Sequence, residues 1–160
     1  MDVEASRLAL RKLTNGMYVM TVSAGGRLAA STVTWLSQCS FEPPLVMAGI
    51  KRTGEVHEAI RKSGAFAVHV LAEGQREVAE SFFKPPVVEE GRLNGLRYEP
   101  GQATGAPILV ELPAWFEARV TDAVERGDHT VFVAEVVNAG VRHRDAKPLN
   151  LADTPWTYGG

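Results

Sequence analysis

Hydroxyl and amide side chains are dense between Ser31 and Ser40, where apolar residues are interleaved with them. The polar members are Ser31, Thr32, Thr34, Ser37, Gln38 and Ser40, and the apolar ones are Val33, Trp35 and Leu36. Such a surface suits a flat ring with a polar edge and a hydroxylated chain, which is the chemistry of a flavin. An ordinary strand with one polar face remains the alternative, since Thr and Ser are frequent in strands.

A second candidate site is the run Lys51-Arg52-Thr53, which directly precedes a predicted helix. Free amide hydrogens at a helix N-terminus, a basic side chain and the Thr53 hydroxyl could together bind a phosphate. The alternative is an N-cap flanked by solvated charges. Considered together, one segment suits a ring with its ribityl chain and the other a terminal phosphate, and FMN contains both parts.

Familiar catalytic motifs are missing. The chain has no G-x-S-x-G, no Walker A and no G-x-G-x-x-G pattern, and Gly25-Gly26 is typical of a hairpin turn. Its 4 histidines are scattered without ligand spacing, so no metal site is predicted. Cys39 is the single cysteine, which excludes an internal disulfide and a Cys-based zinc site and favours a reducing compartment.

Length and charge narrow the class of protein. With 160 residues the chain suits one domain, residues 1–160, and its 45% hydrophobic content is typical of a globular core. A formal net charge of -2 argues against nucleic acid as a partner. The first residues carry acids and no apolar signal-peptide core, and no apolar run approaches the roughly 20 residues that a membrane span needs. We therefore expect a cytoplasmic protein without membrane contact.

The residue patterns predict a mostly antiparallel β-barrel with short helices. Apolar and β-branched runs predict strands at Met17–Ser23, Leu28–Ser40, Leu45–Ile50, Ala65–Leu71, Ala114–Val124 and Thr130–Asn138. Helices are predicted around Ala5–Leu13, from an N-cap at Thr53 to Lys62, and at Gln75–Phe83. The stretch Lys84–Pro113 is predicted to have little regular structure. Arg126-Gly127-Asp128-His129 is predicted to be a hairpin turn.

Several segments resemble one known family in the correct order along nearly the whole chain. They are Trp35-Leu36-Ser37-Gln38-Cys39-Ser40-Phe41-Glu42-Pro43-Pro44, Ser63–Leu71, Gly105-Ala106-Pro107-Ile108 and Gly127–Val136, with Ala9–Thr14 at the start. This arrangement resembles the flavin reductase-like, FMN-binding split-barrel family, in the branch of stand-alone flavin reductases and the reductase modules of rubredoxin-fused and flavodiiron proteins. The resemblance implies a Greek-key antiparallel split barrel and a homodimer.

The resemblance also implies roles for individual residues. Thr32, Val33, Thr34 and Trp35 would border the isoalloxazine and ribityl chain. Ser37, Gln38 and Ser40 would bond ribityl or phosphate oxygens, while Lys51, Arg52 and Thr53 would hold the phosphate. Phe83 and Lys84 would close over the flavin, His129 would lie near the reactive ring as the catalytic residue, and Tyr158 would reach the flavin of the opposite subunit. Many relatives have Asn-Ser where this chain has Thr34-Trp35, and the indole would narrow access to the ring.

The implied activity is transfer of a hydride from NADH or NADPH to FMN, followed by delivery of electrons to free flavin, a partner oxygenase or a redox protein. Because a flavin carries the chemistry itself, the absence of an acid–base pair in the sequence is compatible with this reaction. Two alternatives stay open. One is an FMN-containing electron carrier without nicotinamide activity, and the other is a barrel that binds no cofactor.

Overall fold

A computed structural model describes all residues from Met1 to Gly160. Its strands are β1 Tyr18–Ala24, β2 Arg27–Val33, β3 Leu36–Ser40, β4 Leu45–Lys51, β5 Ala65–Val70, β6 Val88–Glu89, β7 Arg92–Leu93, β8 Leu96–Pro100, β9 Pro107–Leu109, β10 Ala114–Glu125 and β11 His129–Val141. Its helices are α1 Val3–Leu10, α2 Glu55–Ser63, α3 Arg76–Ser81 and a 3₁₀ turn at Leu151–Asp153.

The main sheet has 7 strands in the order β2-β1-β5-β10-β11-β4-β3, and neighbouring strands are antiparallel. The predicted mostly β class is therefore confirmed. Because β2 and β3 are the two edge strands and do not pair with each other, the sheet is not closed into a barrel. The two long strands β10 and β11 form the hairpin that was predicted around Gly127.

The predicted strand Leu28–Ser40 is divided. Strand β2 ends at Val33 and pairs with β1, whereas β3 begins at Leu36 and pairs with β4 at the opposite edge. Thr34 and Trp35 connect the two edges, and the amide of Leu36 donates to the carbonyl oxygen of Thr34 at 3.1 Å. The polar residues of this segment are consequently separated onto two different edge strands.

A second sheet of 4 strands, β6-β7-β8-β9, lies in the segment that was predicted to have little regular structure, so that prediction was wrong. Strands β6, β7 and β9 have only two or three residues each and are too short to show an alternating pattern. Asn94-Gly95 joins β7 to β8 with positive φ angles of 49° and 79°. An Asn-Gly pair is a strong hairpin signal, and it could have identified this turn from the sequence.

Helix α2 begins one residue later than predicted. Its N-cap is Gly54, in an extended conformation and without a side-chain hydrogen bond, so the predicted cap at Thr53 was wrong. The helix ends at Ser63, and the following C-cap residue Gly64 has a φ of 69°, the left-handed conformation expected there. Helix α1 has no buried residue, and no helix in the structure is both long enough and apolar enough to span a bilayer.

The core has two main parts. Met20, Phe66 and Phe132 belong to one cluster, which also includes Val56 and Ile60 of α2. The other cluster lies beneath the second sheet and consists of Met17, Val19, Ala30, Leu71, Ala79, Phe82, Leu93, Leu109, Leu112 and Leu149. These clusters fix β2, β4 and α2 relative to one another, and the ends of these three elements border the candidate site.

Candidate functional site

A cavity of about 540 Å³ opens where the end of β2, the end of β4, the start of α2 and the C-terminal tail meet. This volume lies within the usual range for sites that bind cofactors and other small molecules. Its walls combine apolar, hydroxyl and charged groups. They are formed by Met17, Ala30, Ser31, Thr32, Val33, Thr34, Gly49, Ile50, Lys51, Thr53, Gly54, Glu55, Val56, His57, Phe83, Lys84, Pro85, Leu151, Trp156, Thr157 and Tyr158.

Both candidate segments of the sequence contribute to this one cavity. The residues singled out from the sequence that line it are Ser31, Thr32, Val33, Thr34, Lys51, Thr53, Phe83, Lys84 and Tyr158. The hydroxyl-bearing end of β2 and the cationic start of α2 therefore face the same space. If these two segments lay on opposite sides of the molecule, no single ligand could contact both.

Other predicted residues lie outside the cavity walls. Ser37 and Gln38 are exposed on edge strand β3, where their side chains donate to the carbonyl oxygens of Gln38 and Ser40 at 3.1 Å each. Ser40 is at the end of the same strand. These three residues do not line the cavity to which Thr34 contributes, because the break after Val33 carries β3 to the other edge of the sheet.

Arg52 is also turned away from the cavity. Its guanidinium donates to the carbonyl oxygen of Gly127 at 3.2 Å, and its amide donates to that of Asp128 at 2.9 Å. The side chain thus fastens the start of α2 to the β10–β11 turn. Of the predicted cationic pair, only Lys51 lines the cavity.

The Thr34 side chain has an unusual environment. The residue is only 7% exposed, and its hydroxyl oxygen is buried without a hydrogen-bond partner. A buried hydroxyl without a partner is unfavourable by about 1–3 kcal/mol. Because Thr34 lines the cavity, a bound ligand with a polar atom at this place could supply the missing partner.

Thr32 holds in position the segment after α3 that forms the rim of the cavity with Phe83 and Lys84. Its hydroxyl donates to the carbonyl oxygen of Ala79 at 2.7 Å, and its amide donates to that of Phe82 at 3.2 Å. These bonds attach α3 to β2 and place Phe83 and Lys84 over the cavity. The ring of Phe83 meets that of Trp156 edge to face, with centroids 4.8 Å apart.

The start of α2 supplies the polar end of the cavity. Because Gly54 offers no side-chain cap, amide hydrogens of the first helical turn are left for an external acceptor. The Lys51 ammonium and the positive end of the helix dipole favour an anion, whereas the nearby Glu55 carboxylate opposes one. One lysine and a set of aligned amides match the requirements of a single phosphate group.

His57 was missed from the sequence, although it lines this end of the cavity. Its Nε2 lies 2.7 Å from the hydroxyl of Thr130. Burial lowers the pKa of His57, and the nearby Arg61 and Arg52 charges lower it further. The imidazole is therefore neutral at pH 7. A histidine at the third position of a helix gives no distinctive sequence signal.

His129 forms a hydrogen-bonded group with Asp128 and Tyr158, and the Trp35 ring packs against it. His129 Nδ1 lies 2.7 Å from Asp128 Oδ1, and its Nε2 lies 2.6 Å from Tyr158 Oη. The Trp35 ring packs against both, with centroids 4.5 Å from His129 and 5.0 Å from Tyr158. Tyr158 thus lies in the cavity of its own chain, whereas the sequence expectation was that it reaches an opposite subunit.

The contacts within this group shift the pKa values of Tyr158 and Asp128. Burial raises the pKa of Tyr158, and the Asp128 charge raises it further. The hydrogen bond from His129, followed by the His129 charge, lowers the pKa of Asp128. At neutral pH Asp128 is therefore a carboxylate and Tyr158 a neutral phenol.

Gly49 is another cavity residue that was not predicted, and the sequence did contain a signal for it. A Cβ at this position would lie 3.3 Å from Cε3 of Trp35, and the amide of Gly49 donates to the carbonyl oxygen of Trp35 at 2.9 Å. A glycine inside a strand often marks close approach of another group. Here the approaching group is the Trp35 indole.

The match to a family model agrees with this geometry. The model described as "Flavin reductase like domain" matches residues 10–157, and the chain belongs to this flavin reductase family. The resemblance stated from the sequence motifs is confirmed.

Two relatives and one solved structure show how far the similarity extends. The chain is 32% identical over 155 residues to the ferric-chelate reductase (NAD(P)H) of Archaeoglobus fulgidus, covering 96% of this chain and 88% of that protein. It is 31% identical to the NADH-dependent flavin reductase StyB of Pseudomonas fluorescens, covering 92% and 85%. The structure of the NADH:FAD oxidoreductase SgcE6 of Streptomyces globisporus is similar with a TM-score of 0.80 and 28% identity, covering 92% and 86%.

The share of each relative that the chain covers varies. It covers 42% of a longer relative from Rhizobium meliloti, at 31% identity over 136 residues. It likewise covers 52% of a relative from Aeropyrum pernix and 23% of one from Synechocystis, so only some of the relatives are matched over most of their length.

Proposed function

We propose that the cavity binds FMN and that the chain is an NAD(P)H-dependent flavin reductase. The convergence of β2 and the start of α2 on one cavity carries this proposal, because a flavin mononucleotide needs an apolar slot and a phosphate site joined by a polar chain. Family membership and the NADH-dependent flavin reductases among the relatives support it. A related NADH:FAD oxidoreductase has been solved in complex with NAD and FAD fragments.

The residues of the cavity have distinct tasks in this proposal. Val33 and Phe83 would contact the flat ring, and the unpaired hydroxyl of Thr34 would bond to its polar edge. Lys51, Thr53 and the first amides of α2 would hold the phosphate. When bound, FMN supplies the redox chemistry by accepting a hydride from NADH or NADPH and passing electrons on.

We further propose a homodimer in the cytoplasm, formed of single domains, that delivers electrons to free flavin or to a partner oxygenase. Support for a partner comes from related structures, one named as the flavin reductase component of a two-component tryptophan halogenase and another as a styrene monooxygenase flavin reductase. Exposed apolar side chains on β4 and β11, Met47, Val131 and Val137, offer a surface that a second copy could cover.

An absorbance spectrum followed by anaerobic titration tests this function. The purified protein, supplied with FMN, is expected to show a flavin spectrum that NADH or NADPH bleaches. A visible flavin that neither nicotinamide reduces would favour the electron carrier. Protein whose melting temperature does not respond to FMN would contradict both flavin functions.

A further inference from the structure

Both ring nitrogens of His129 are already engaged. Nδ1 faces Asp128 at 2.7 Å and Nε2 faces the Tyr158 hydroxyl at 2.6 Å, while the His129 side chain is only 13% exposed. An imidazole has no polar atoms besides these two nitrogens. A ligand in the cavity therefore finds no free nitrogen on His129 as long as this arrangement persists.

Tyr158, in contrast to His129, can still form a hydrogen bond with a ligand. It lines the cavity, which His129 does not, and its hydroxyl combines one proton with two acceptor positions. One hydrogen bond to His129 leaves capacity for a second bond toward the cavity. Trp35, packed against both rings, restricts the directions that the phenol can take.

We propose that Tyr158 is the residue that meets the nicotinamide or flavin in the cavity, and that His129 acts through it as a positioning residue. This inference rests on the proposed flavin reductase function. It changes the sequence-based assignment, in which His129 itself was placed beside the reactive ring.

The charge of His129 determines what Tyr158 offers to a ligand. With His129 neutral, Nδ1–H donates to the Asp128 carboxylate, so Nε2 accepts the phenol proton and Tyr158 presents oxygen lone pairs to the cavity. With His129 protonated, Nε2–H donates to Tyr158 Oη, and the phenol O–H is free to donate to the ligand. Three cations lie near this group. Lys51 pairs in register with His129 across β4 and β11, Arg52 donates to the carbonyl oxygen of Gly127, and Arg11 donates to that of Gly159.

Paired substitutions of His129 provide a sharp test. The amide of His129→Gln ends near the position of Nε2 and keeps a partner for Tyr158, whereas that of His129→Asn ends near Nδ1 and keeps a partner for Asp128. In FMN-loaded protein reduced by NADH, we expect His129→Gln to stay within about threefold of the unmodified rate. His129→Asn and Tyr158→Phe should each be slower by at least about 10-fold, and the Tyr158→Phe/His129→Asn pair no slower than either alone.

Two measurements without turnover accompany the kinetics. In the FMN-loaded protein, Tyr158→Phe should weaken the binding of NAD⁺, the unreactive oxidised nucleotide, by about 3- to 10-fold in calorimetry. In ligand-free, ¹⁵N-labelled protein, Tyr158→Phe should move the Nε2 resonance of His129, assigned by its loss in His129→Ala. Tyr98→Phe, on β8, is the matched control and should leave rate, affinity and resonance unchanged.

The outcomes separate this inference from the proposed function. Unmodified protein that binds no FMN overturns both. Flavin reduction that is normal in the unmodified protein and equally fast in Tyr158→Phe overturns only the role of Tyr158. If His129→Asn instead of His129→Gln kept the rate of flavin reduction, the contact of His129 with Asp128 would be the one that matters. That result would also overturn the proposed role of Tyr158.

Discussion

Thr32 and Ala79 are joined by a 2.7 Å hydrogen bond from the Thr32 hydroxyl to the Ala79 carbonyl oxygen. The bond links edge strand β2, which forms one wall of the cavity, to helix α3. The chain leaving α3 carries Phe83 and Lys84 to the rim of the same cavity. A side chain that was predicted to contact the ligand therefore also fixes the wall opposite to it.

Replacing Thr32 with Val is expected to loosen this rim. The Ala79 carbonyl loses its partner, at a cost of about 1 kcal/mol in the free energy of unfolding, or roughly 2–4 °C in melting temperature. FMN affinity should fall as well, because Phe83 is no longer held in place. Calorimetry measures both quantities. Thr121→Val removes an exposed strand hydroxyl far from the cavity and is the control, so equal effects of the two substitutions would contradict this reasoning.

Substitution of Lys51 by Met tests the phosphate end of the cavity. Loss of the ammonium is expected to weaken FMN binding by about 10-fold, which corresponds to about 1.4 kcal/mol. Riboflavin lacks the phosphate, and its affinity should change less than about twofold. Lys62→Met, in the last turn of α2, removes an equal charge elsewhere. A matching loss of riboflavin affinity would place Lys51 away from the phosphate.

His69 predicts a pH dependence of stability. Its Nδ1 donates to the carbonyl oxygen of Val19 at 3.0 Å, and its Nε2 accepts from the amide of Leu109 at 3.0 Å, which ties β5 to β1 and β9. Burial lowers the pKa of His69 to about 4, with a contrary effect of the Val19 bond and a further lowering by Arg142. The folded chain therefore keeps this imidazole neutral.

In the unfolded chain His69 becomes protonated below its ordinary pKa of 6.5. In the folded chain it stays neutral until the pH falls to about 4. Stability from His69 is complete above pH 6.5 and declines as the pH falls through that window, by about 3 kcal/mol at most at 1.36 kcal/mol per unit. Urea unfolding between pH 4 and pH 8 measures it. His69→Gln should be less stable at pH 7 but have a flatter profile, whereas the exposed His143→Gln should keep the original slope.

The sequence predicted the long elements because their patterns are long. Strand β5 and the β10–β11 hairpin have runs of apolar residues that identify them without any tertiary information. The convergence of Thr34 and Lys51 on one cavity was also anticipated, through the chemistry that each segment suits. The division of the predicted strand Leu28–Ser40, which moves Ser37 and Gln38 to a different edge of the sheet, was not predicted because the break at Thr34 has no glycine or proline to mark it.

Contacts between residues that are far apart in the sequence could not be predicted from local patterns. The bond from Tyr158 to His129 joins residues 29 positions apart, and no local pattern encodes it. The same applies to His57, whose position in the cavity depends on its contacts with Thr130 and Phe132 of β11. Gly49 was the exception, since a strand glycine can be interpreted locally as a site of close approach.

The buried hydroxyl of Thr34 gives the most direct test of cofactor binding. Without a partner it destabilises the ligand-free chain, so Thr34→Val, which has the same shape without the polar atom, should unfold with an equal or slightly larger free energy. If FMN supplies the partner, the same substitution should weaken FMN binding by about 3- to 10-fold. Thr34→Ser keeps the hydroxyl and should bind FMN nearly as well as the unmodified chain. Opposite effects on stability and affinity from one substitution are expected only of a group that is held ready for a ligand, and a Thr34→Val variant with undiminished FMN affinity would show that the hydroxyl does not contact the flavin.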